Sequence, residues 1–370
     1  MGIQSEGRLG DIIWVSETMT EVMSGPAPYI YVSTRMRVRK AKLIPREEYL
    51  RMLNMGLPEF TRLIEEMEYK REIDELSASF SGVDLIENAM SWNLAKEYQR
   101  VIALAPGEMK GFTRDYLHKW DIQNILTVLR GKYQGLSDGK IRAVLVPAGE
   151  LDAPTLDRLL TETTVERIVE TLPQKQMAEI LSAGLAEALE THSFGKLENE
   201  LYKYYYATLI KAARGGMKGG LPFLKYVMFE IDIKNITNLF RIRAQGGKDA
   251  NTADIWVEGG SYHADELERL CSVESLDEVV DSLKKKIKSS VLNDALESLR
   301  EKKPIYAIEG MLIAAQLNQM DNVSKRNPFS ISPLLVYLER KKYEVTNLRA
   351  LARGKEAGLA PEVLEKYLVM

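Results

Sequence analysis

One cysteine, Cys271, stands in 370 residues, so no intramolecular disulfide can form, which fits a reducing compartment such as the cytosol. Only three histidines occur, His118, His192 and His263, far apart and without metal-ligand spacing. No apolar run approaches the ~18 residues that cross a bilayer. The opening MGIQSEGRLGDIIWVSETMTEV lacks the basic start and apolar stretch of a secretory leader. Neither sign of charge is in excess: 50 Lys and Arg face 53 Asp and Glu, for a net charge of -3. That excludes a strongly basic nucleic-acid binder and an acidic tail.

Chemistry-bearing motifs are scarce too. No G-x-x-x-x-G-K-[ST] phosphate loop is present. RGKYQGL and RGKEAGL have too few glycines before the lysine, and RGGMKGGLP (Arg214 to Pro222) follows no strand pattern and reads as a flexible connection. No nucleophile stands near a base. No residue is therefore assigned a catalytic, cofactor-binding or metal-ligating role, and no cofactor is expected.

What the chain does have is repetition. Hydrophobic residues make up 45% and charged residues 28%, an ordinary globular balance. Four landmarks recur in one order. A short apolar step comes first: LIP (Leu43 to Pro45), LVPAG (Leu145 to Gly149) and WVEGG (Trp256 to Gly260). An amphipathic stretch follows: FTRLI (Phe60 to Ile64), VERIV (Val165 to Val169) and LDEVV (Leu276 to Val280). Its apolar residues fall at i, i+3 and i+4, one face of a helix. The third landmark sets an acidic residue in an apolar frame: IENAM, LENEL and IEGML around Glu87, Glu198 and Glu309. The fourth is the sharpest: DIQNI (Asp121 to Ile125), DIKNI (Asp232 to Ile236) and EVTNL (Glu344 to Leu348). Beyond it come Arg130, Arg241 and Arg353, then Gly135, Gly246 and Gly358, at matching offsets. The repeat length is 111 residues, with one extra residue before Glu344.

Each unit should be two long helices meeting through a turn, with shorter helices between units. Met90, Leu94, Tyr98 and Val101 have the spacing of one buried stripe. LENELYKYYYATLIKAARGG ends in glycine, a common helix stop, and YAIEGMLIAAQLNQM is closed by the turn-rich NVSKRNPFSISP. The carboxylate and asparagine of the fourth landmark lie three apart, on one helical face. The arginine lies near the helix end, where it favours the negative end of the dipole, and Gly135 suits a left-handed cap. VLV and IWV read as short extended links. Such small helix pairs bury little alone, so three should pack side by side. Asp121, Asn124, Asp232, Asn235, Glu344 and Asn347 read first as buried hydrogen-bonding residues between helices, and second as contacts for a partner. Carboxylate catalysis is disfavoured, since the pairs recur without a neighbouring base or metal group. Cys271 reads as a small buried side chain.

At this point the residues resemble a known family. Y-x-Y-x-x-x-R-x-R at Tyr29 to Arg37, followed by LIP, is similar to the start of the C subunit of archaeal A-type and bacterial V-type ATPases, a relative of the d subunit of the eukaryotic vacuolar ATPase. SPLLVYLERKKYEVTNLRALARGKEAGLAPEVLEKYLV (Ser332 to Val369) resembles that family's closing segment, above all E-V-x-N-L-R and A-R-G-K-x-x-G-L. The resemblance implies an all-α fold of three similar helical lobes, V-shaped helix pairs around a pseudo-threefold axis, shaped as a funnel. The expected division is an N-terminal extension at 1–28 and repeat units at 29–140, 141–252 and 253–370. The extension precedes the family's usual start, with GPAP (Gly25 to Pro28) as a break.

The resemblance also implies a function: a non-catalytic central-stalk component of a rotary ATP synthase. The funnel would be a socket that carries torque between the D and F subunits of the central stalk and the proteolipid ring, serving ATP synthesis and ion transport. It would lie peripherally on the cytoplasmic face of the cell membrane and bind no nucleic acid. The residues alone would equally suit a helical-repeat scaffold for a soluble protein partner. Company with ring and ATPase head components separates the two.

Overall fold

The second, third and fourth landmarks fall on helices, and the apolar steps lie in the links between them. The computed structural model describes residues 27–215, 220–245, 255–287, 289–301 and 303–369, and the fold is all-α, with no strand among the described residues. Most of the N-terminal extension, part of the Arg214 to Pro222 connection, and Gly246 lie outside them. The chain enters through α1 (Ala27–Lys40) and three short helices, α2 (Arg46–Leu53), α3 (Leu57–Glu65) and α4 (Lys70–Leu76). A long pair follows, α5 (Gly82–Leu104) and α6 (Gly107–Tyr133). After the single turn α7 (Asp138–Arg142) the pattern repeats: short α8 (Ala153–Thr161) and α9 (Val165–Glu170), α10 (Lys175–Glu190), then long α11 (Gly195–Arg214) and α12 (Gly220–Ala244). The third round has short α13 (Ala264–Ser272), α14 (Leu276–Lys284) and α15 (Ser290–Glu297), then long α16 (Ile305–Arg326) and α17 (Ser332–Glu356), followed by α18 (Pro361–Glu365).

Local chemistry explains the boundaries. Asp152, Thr164, Ser275 and Ser289 cap α8, α9, α14 and α15 by accepting a backbone N–H. Gly135 and Gly358 end α6 and α17 at φ 68°, as the left-handed cap expected at Gly135 requires. The next residues, Leu136 and Leu359, donate back to Gly131 and Gly354, the Schellman arrangement. One helix outruns its expected stop. α16 continues through NVSKR to Arg326, because the turn residues proper, Pro328 and its neighbours, come only afterwards.

The expected apolar stripes are buried. Met90, Leu94, Tyr98 and Val101 are at most 1% exposed; each side chain of this kind contributes about 1.5–3 kcal/mol on burial. Ile64, Ile168, Val169, Val279 and Val280 of the amphipathic landmark are buried as well.

The six long helices touch in a closed cycle: α5 on α6, α6 on α11, α11 on α12, α12 on α16, α16 on α17, and α17 back on α5. Each short group bridges this cycle. In the second group α8 and α9 lie on α6 and α10 lies on α11; in the others α3 lies on α17 and α4 on α5, then α13 on α12 and α15 on α16. The N-terminal α1 packs along α17, joining early and late parts of the chain. The apolar core forms one large cluster and a second one around Ile233 to Ala315.

Candidate functional site

The fourth landmark builds the same clamp three times. Asn124 Nδ2 donates to the Val146 carbonyl at 2.7 Å and its Oδ1 accepts from the Val146 N–H at 2.9 Å. Asn235 does the same to Val257 at 2.8 and 3.0 Å, and Asn347 to Val369 at 2.8 and 2.9 Å. The asparagine amide thus replaces a neighbouring strand for one extended residue, satisfying both backbone groups at once. The links VLV and IWV, expected to be short and extended, begin with the turn residues Val144 and Ile255 and form no strand. The bonds run from helix to link, not helix to helix as the sequence suggested.

The carboxylate three residues earlier finishes the first two clamps. Asp121 accepts from the Glu150 and Leu151 N–H groups at 2.9 and 2.8 Å. Asp232 accepts from the Ser261 N–H at 2.6 Å and its hydroxyl at 2.7 Å. Burial pushes both carboxyls up to about 6, against the opposing pull of these donors. Gly149 and Gly260 are required here, since a Cβ on either would press into the aspartate carboxylate.

The third clamp is assembled from early and late segments of the chain. Glu344 accepts from the Ile44 N–H at 2.7 Å, from the Tyr69 hydroxyl, and from Lys341 Nζ at 2.8 Å. The apolar step LIP therefore meets the carboxylate, while the Asn347 grip falls on Val369. Leu368 and Val369 stand to Asn347 as Leu145 and Val146 stand to Asn124, at the shared offset of 22 residues. That offset was the signal in the sequence for a fourth copy of the apolar step.

The recurring arginines do more than meet the helix dipole. Arg130 pairs with Glu198 at 2.7 Å, Arg241 with Glu309 at 2.6 Å, and Arg353 with Glu87 through both carboxylate oxygens. Each fourth-landmark arginine thus takes the third-landmark glutamate of the next unit, and the last takes that of the first. Partners 68 residues apart twice and 266 apart once make a cycle.

Where the second helices of the three pairs converge, the interior is charged. Lys119, Glu230 and Lys342 each stand two residues before the clamp carboxylate. Lys119 donates to Glu339, which is 2% exposed. Tyr116 donates to the same oxygen at 2.6 Å and meets Tyr226 hydroxyl to hydroxyl at 2.5 Å. The Glu230 carboxylate lies 3.7 Å from Lys119, and Lys342 3.9 Å from Glu339. Burial alone would lift the Glu339 carboxyl, but Lys119, Lys342 and the Tyr116 hydroxyl outweigh it and hold it well below the usual range. The surrounding Tyr205, Tyr206 and Tyr226 hydroxyls are driven well above 10 by burial, with Glu230 adding to the effect.

The histidines stay apart: His118 lies 3.0 Å from Glu150, while His192 and His263 are exposed. Cys271 is buried, which raises its thiol pKa. Among the described residues no group of three or more His, Cys, Asp or Glu is placed to hold a metal ion, and no helix is long and apolar enough to cross a membrane. An open cleft of about 950 Å³ is lined by Lys96, Arg100, Arg114 and Glu150 among others.

The repeated polar residues of this all-α chain tie its own links and close its own cycle. The chain belongs to the ATP synthase (C/AC39) subunit family, whose model matches residues 32–367. It is 35% identical over 341 residues to the A-type ATP synthase C subunit of Haloferax volcanii, covering 92% of this chain and 97% of that one. It is likewise 35% identical to the corresponding C subunits of Methanosarcina mazei, with 94% of each chain covered, and of Halobacterium salinarum, with 94% and 99% covered.

Proposed function

We propose that this chain is a central-stalk component of an A-type ATP synthase, a socket that couples the rotor shaft, made of the D and F subunits, to the proteolipid ring of the membrane sector. In this reading the three units, 29–140, 141–252 and 253–370, are V-shaped lobes around a pseudo-threefold axis, and their funnel receives the shaft. The protein works at the cytoplasmic face of the membrane, held there by the ring, and contributes rigidity to ATP synthesis and ion transport rather than chemistry of its own.

The cyclic set Arg130–Glu198, Arg241–Glu309 and Arg353–Glu87 carries this reading. An open solenoid has two free ends; here the last unit grips the first. A part that passes torque must resist shear at every junction, and close-packed helices in a closed cycle do so. The recurring carboxylates are occupied by backbone N–H groups, which leaves them no reacting atom to address. Two tests apply. The purified chain should bind the D and F subunits in a defined complex, and its removal from the assembled enzyme should leave ATP hydrolysis running while ion pumping stops. Persistent pumping would refute the socket.

A further inference from the structure

We infer that the end of the molecule formed by α1 and the α16–α17 turn is a contact surface for anionic phospholipid headgroups. Helix geometry separates two ends. The ring-closing arginines lie near the C-termini of the second long helices, so the turns within each helix pair lie at the opposite end, roughly 30 Å away for helices of about 20 residues. The third of these turns is tied to α1 by Ser33 Oγ donating to the Ser330 carbonyl at 3.3 Å and by Arg37 donating to the Pro328 carbonyl at 3.2 Å.

This end exposes large apolar side chains that the fold leaves unused. Phe329, at the crest of the turn, is 56% exposed. On the outer face of α1, Tyr31 and Val38 are 54% and 57% exposed, and Ile30 is exposed beside them. In the second pair Leu221, in the first turn of α12, is 63% exposed. Aromatic and aliphatic tips amid basic residues are the composition of an interfacial membrane contact.

Four of the cations around them have no carboxylate partner, while Lys40 is paired with Asp321. Exposed arginines elsewhere divide, with Arg51, Arg71 and Arg142 ion-paired and, among the described residues, Arg62, Arg114 and Arg158 in no salt bridge, so what sets this end apart is the company of exposed apolar side chains. Among the described residues Arg35, Arg37, Lys325 and Arg326 are in no salt bridge; Arg35 instead lies over the Tyr31 ring at 5.5 Å. A cavity of about 410 Å³ opens between Arg37, Lys40 and Lys325, with Asp321 as its acidic wall. Helix-dipole pairing accounts for the basic last turns of α1 and α16; it does not account for mid-helix Arg35 or for the exposed aromatics. The short-helix end has the opposite character: in segments 46–81, 153–194 and 264–301 acidic residues outnumber basic ones. Charge complementarity therefore selects an anionic partner for the turn end, and the apolar crest selects a bilayer.

The surface is tested by co-sedimenting the full chain with vesicles of phosphatidylcholine alone or mixed in equal parts with phosphatidylglycerol. Binding to the anionic vesicles only, weakening with added salt, is expected. Arg35→Gln with Arg37→Gln should lower partitioning roughly tenfold or more, and Phe329→Ser severalfold. Arg167→Gln, among the short helices, should leave it unchanged. Circular dichroism and binding of the D and F subunits report that each variant is folded. Absence of vesicle binding, or binding indifferent to these substitutions, overturns the inference and leaves the socket reading standing. Loss of assembly with the membrane sector in variants of a chain that ignores lipid would mark the surface as a protein contact, which also overturns it.

Discussion

The first two clamps and the third do the same work with different materials. Asp121 and Asp232 hold a link that follows them closely in the chain, 29 residues on. Glu344 holds Ile44, 300 residues away, while its companion Asn347 holds Val369. A link of 22 to 30 residues closes at modest entropic cost, since loop entropy grows slowly with length. The third closure must unite early and late segments of the whole fold. It adds groups the others lack: Tyr69, Lys341 and the longer reach of glutamate over aspartate. The difference shows where a repeated design needs extra contacts to become a ring.

Breaking the third clamp should have the largest effect. Glu344→Ala strands Lys341, which is 1% exposed, as an unpaired buried cation. A loss of about 3–5 kcal/mol is expected, measured by urea unfolding. Asp232→Ala strands only neutral donors and should cost about 1–3 kcal/mol. Equal losses at the two positions would erase the distinction.

The asparagines come next. Asn124→Ala leaves the N–H of buried Val146 without a partner, about 1–3 kcal/mol, while its carbonyl keeps the Ala148 N–H at 2.7 Å. Asn347→Ala should cost less, because half-buried Val369 can turn to water. Removing Val369 and Met370 should then add little to Asn347→Ala, since both remove one interaction; additive losses in that double-mutant cycle would show that this segment packs independently of the amide.

Acid sharpens the comparison at Asp232. Its folded carboxyl titrates near 6 and an unfolded one near 3.9. The folded state therefore holds the proton more tightly, and this contribution is complete below about pH 4 and lost as pH rises through about 6. The loss is at most about 2–3 kcal/mol. Denaturant midpoints from pH 4 to 7 should show this slope, and Asp232→Asn should flatten it. The smallest effect belongs to Arg241→Met. Its ion pair is half exposed and should contribute under about 1 kcal/mol. Arg353→Met should cost more, because Glu87 has an 8% exposed side chain.

Much of this is legible in the sequence. Where one residue type does one job three times, the period reveals it: Asn124, Asn235 and Asn347 stand out without any knowledge of their partners. The helix pairs, the buried stripes and the Gly135 cap follow from spacing and backbone chemistry. The partners are not legible, because Val146, Val257 and Val369 are gripped by their backbone atoms, and any side chain would satisfy that bond. Nor is the cycle legible. Arg130 and Glu198 belong to recurring positions, but only packing shows that the arginine reaches forward to the next unit and that Arg353 must return to Glu87. The charged centre is hidden for another reason. Lys119, Glu230 and Lys342 occupy one repeat position with alternating sign, so comparing the units there shows disagreement instead of a motif.

The grip on Val369 sets the order of events during synthesis. Val369 emerges after every other described residue, so the third link is seated last. The second unit can fold as it emerges, whereas α1, Ile44 and Tyr69 of the first wait for α17, on which they pack. A proteolytic cut between Asn347 and Val369 would undo that last step while leaving the earlier ones intact.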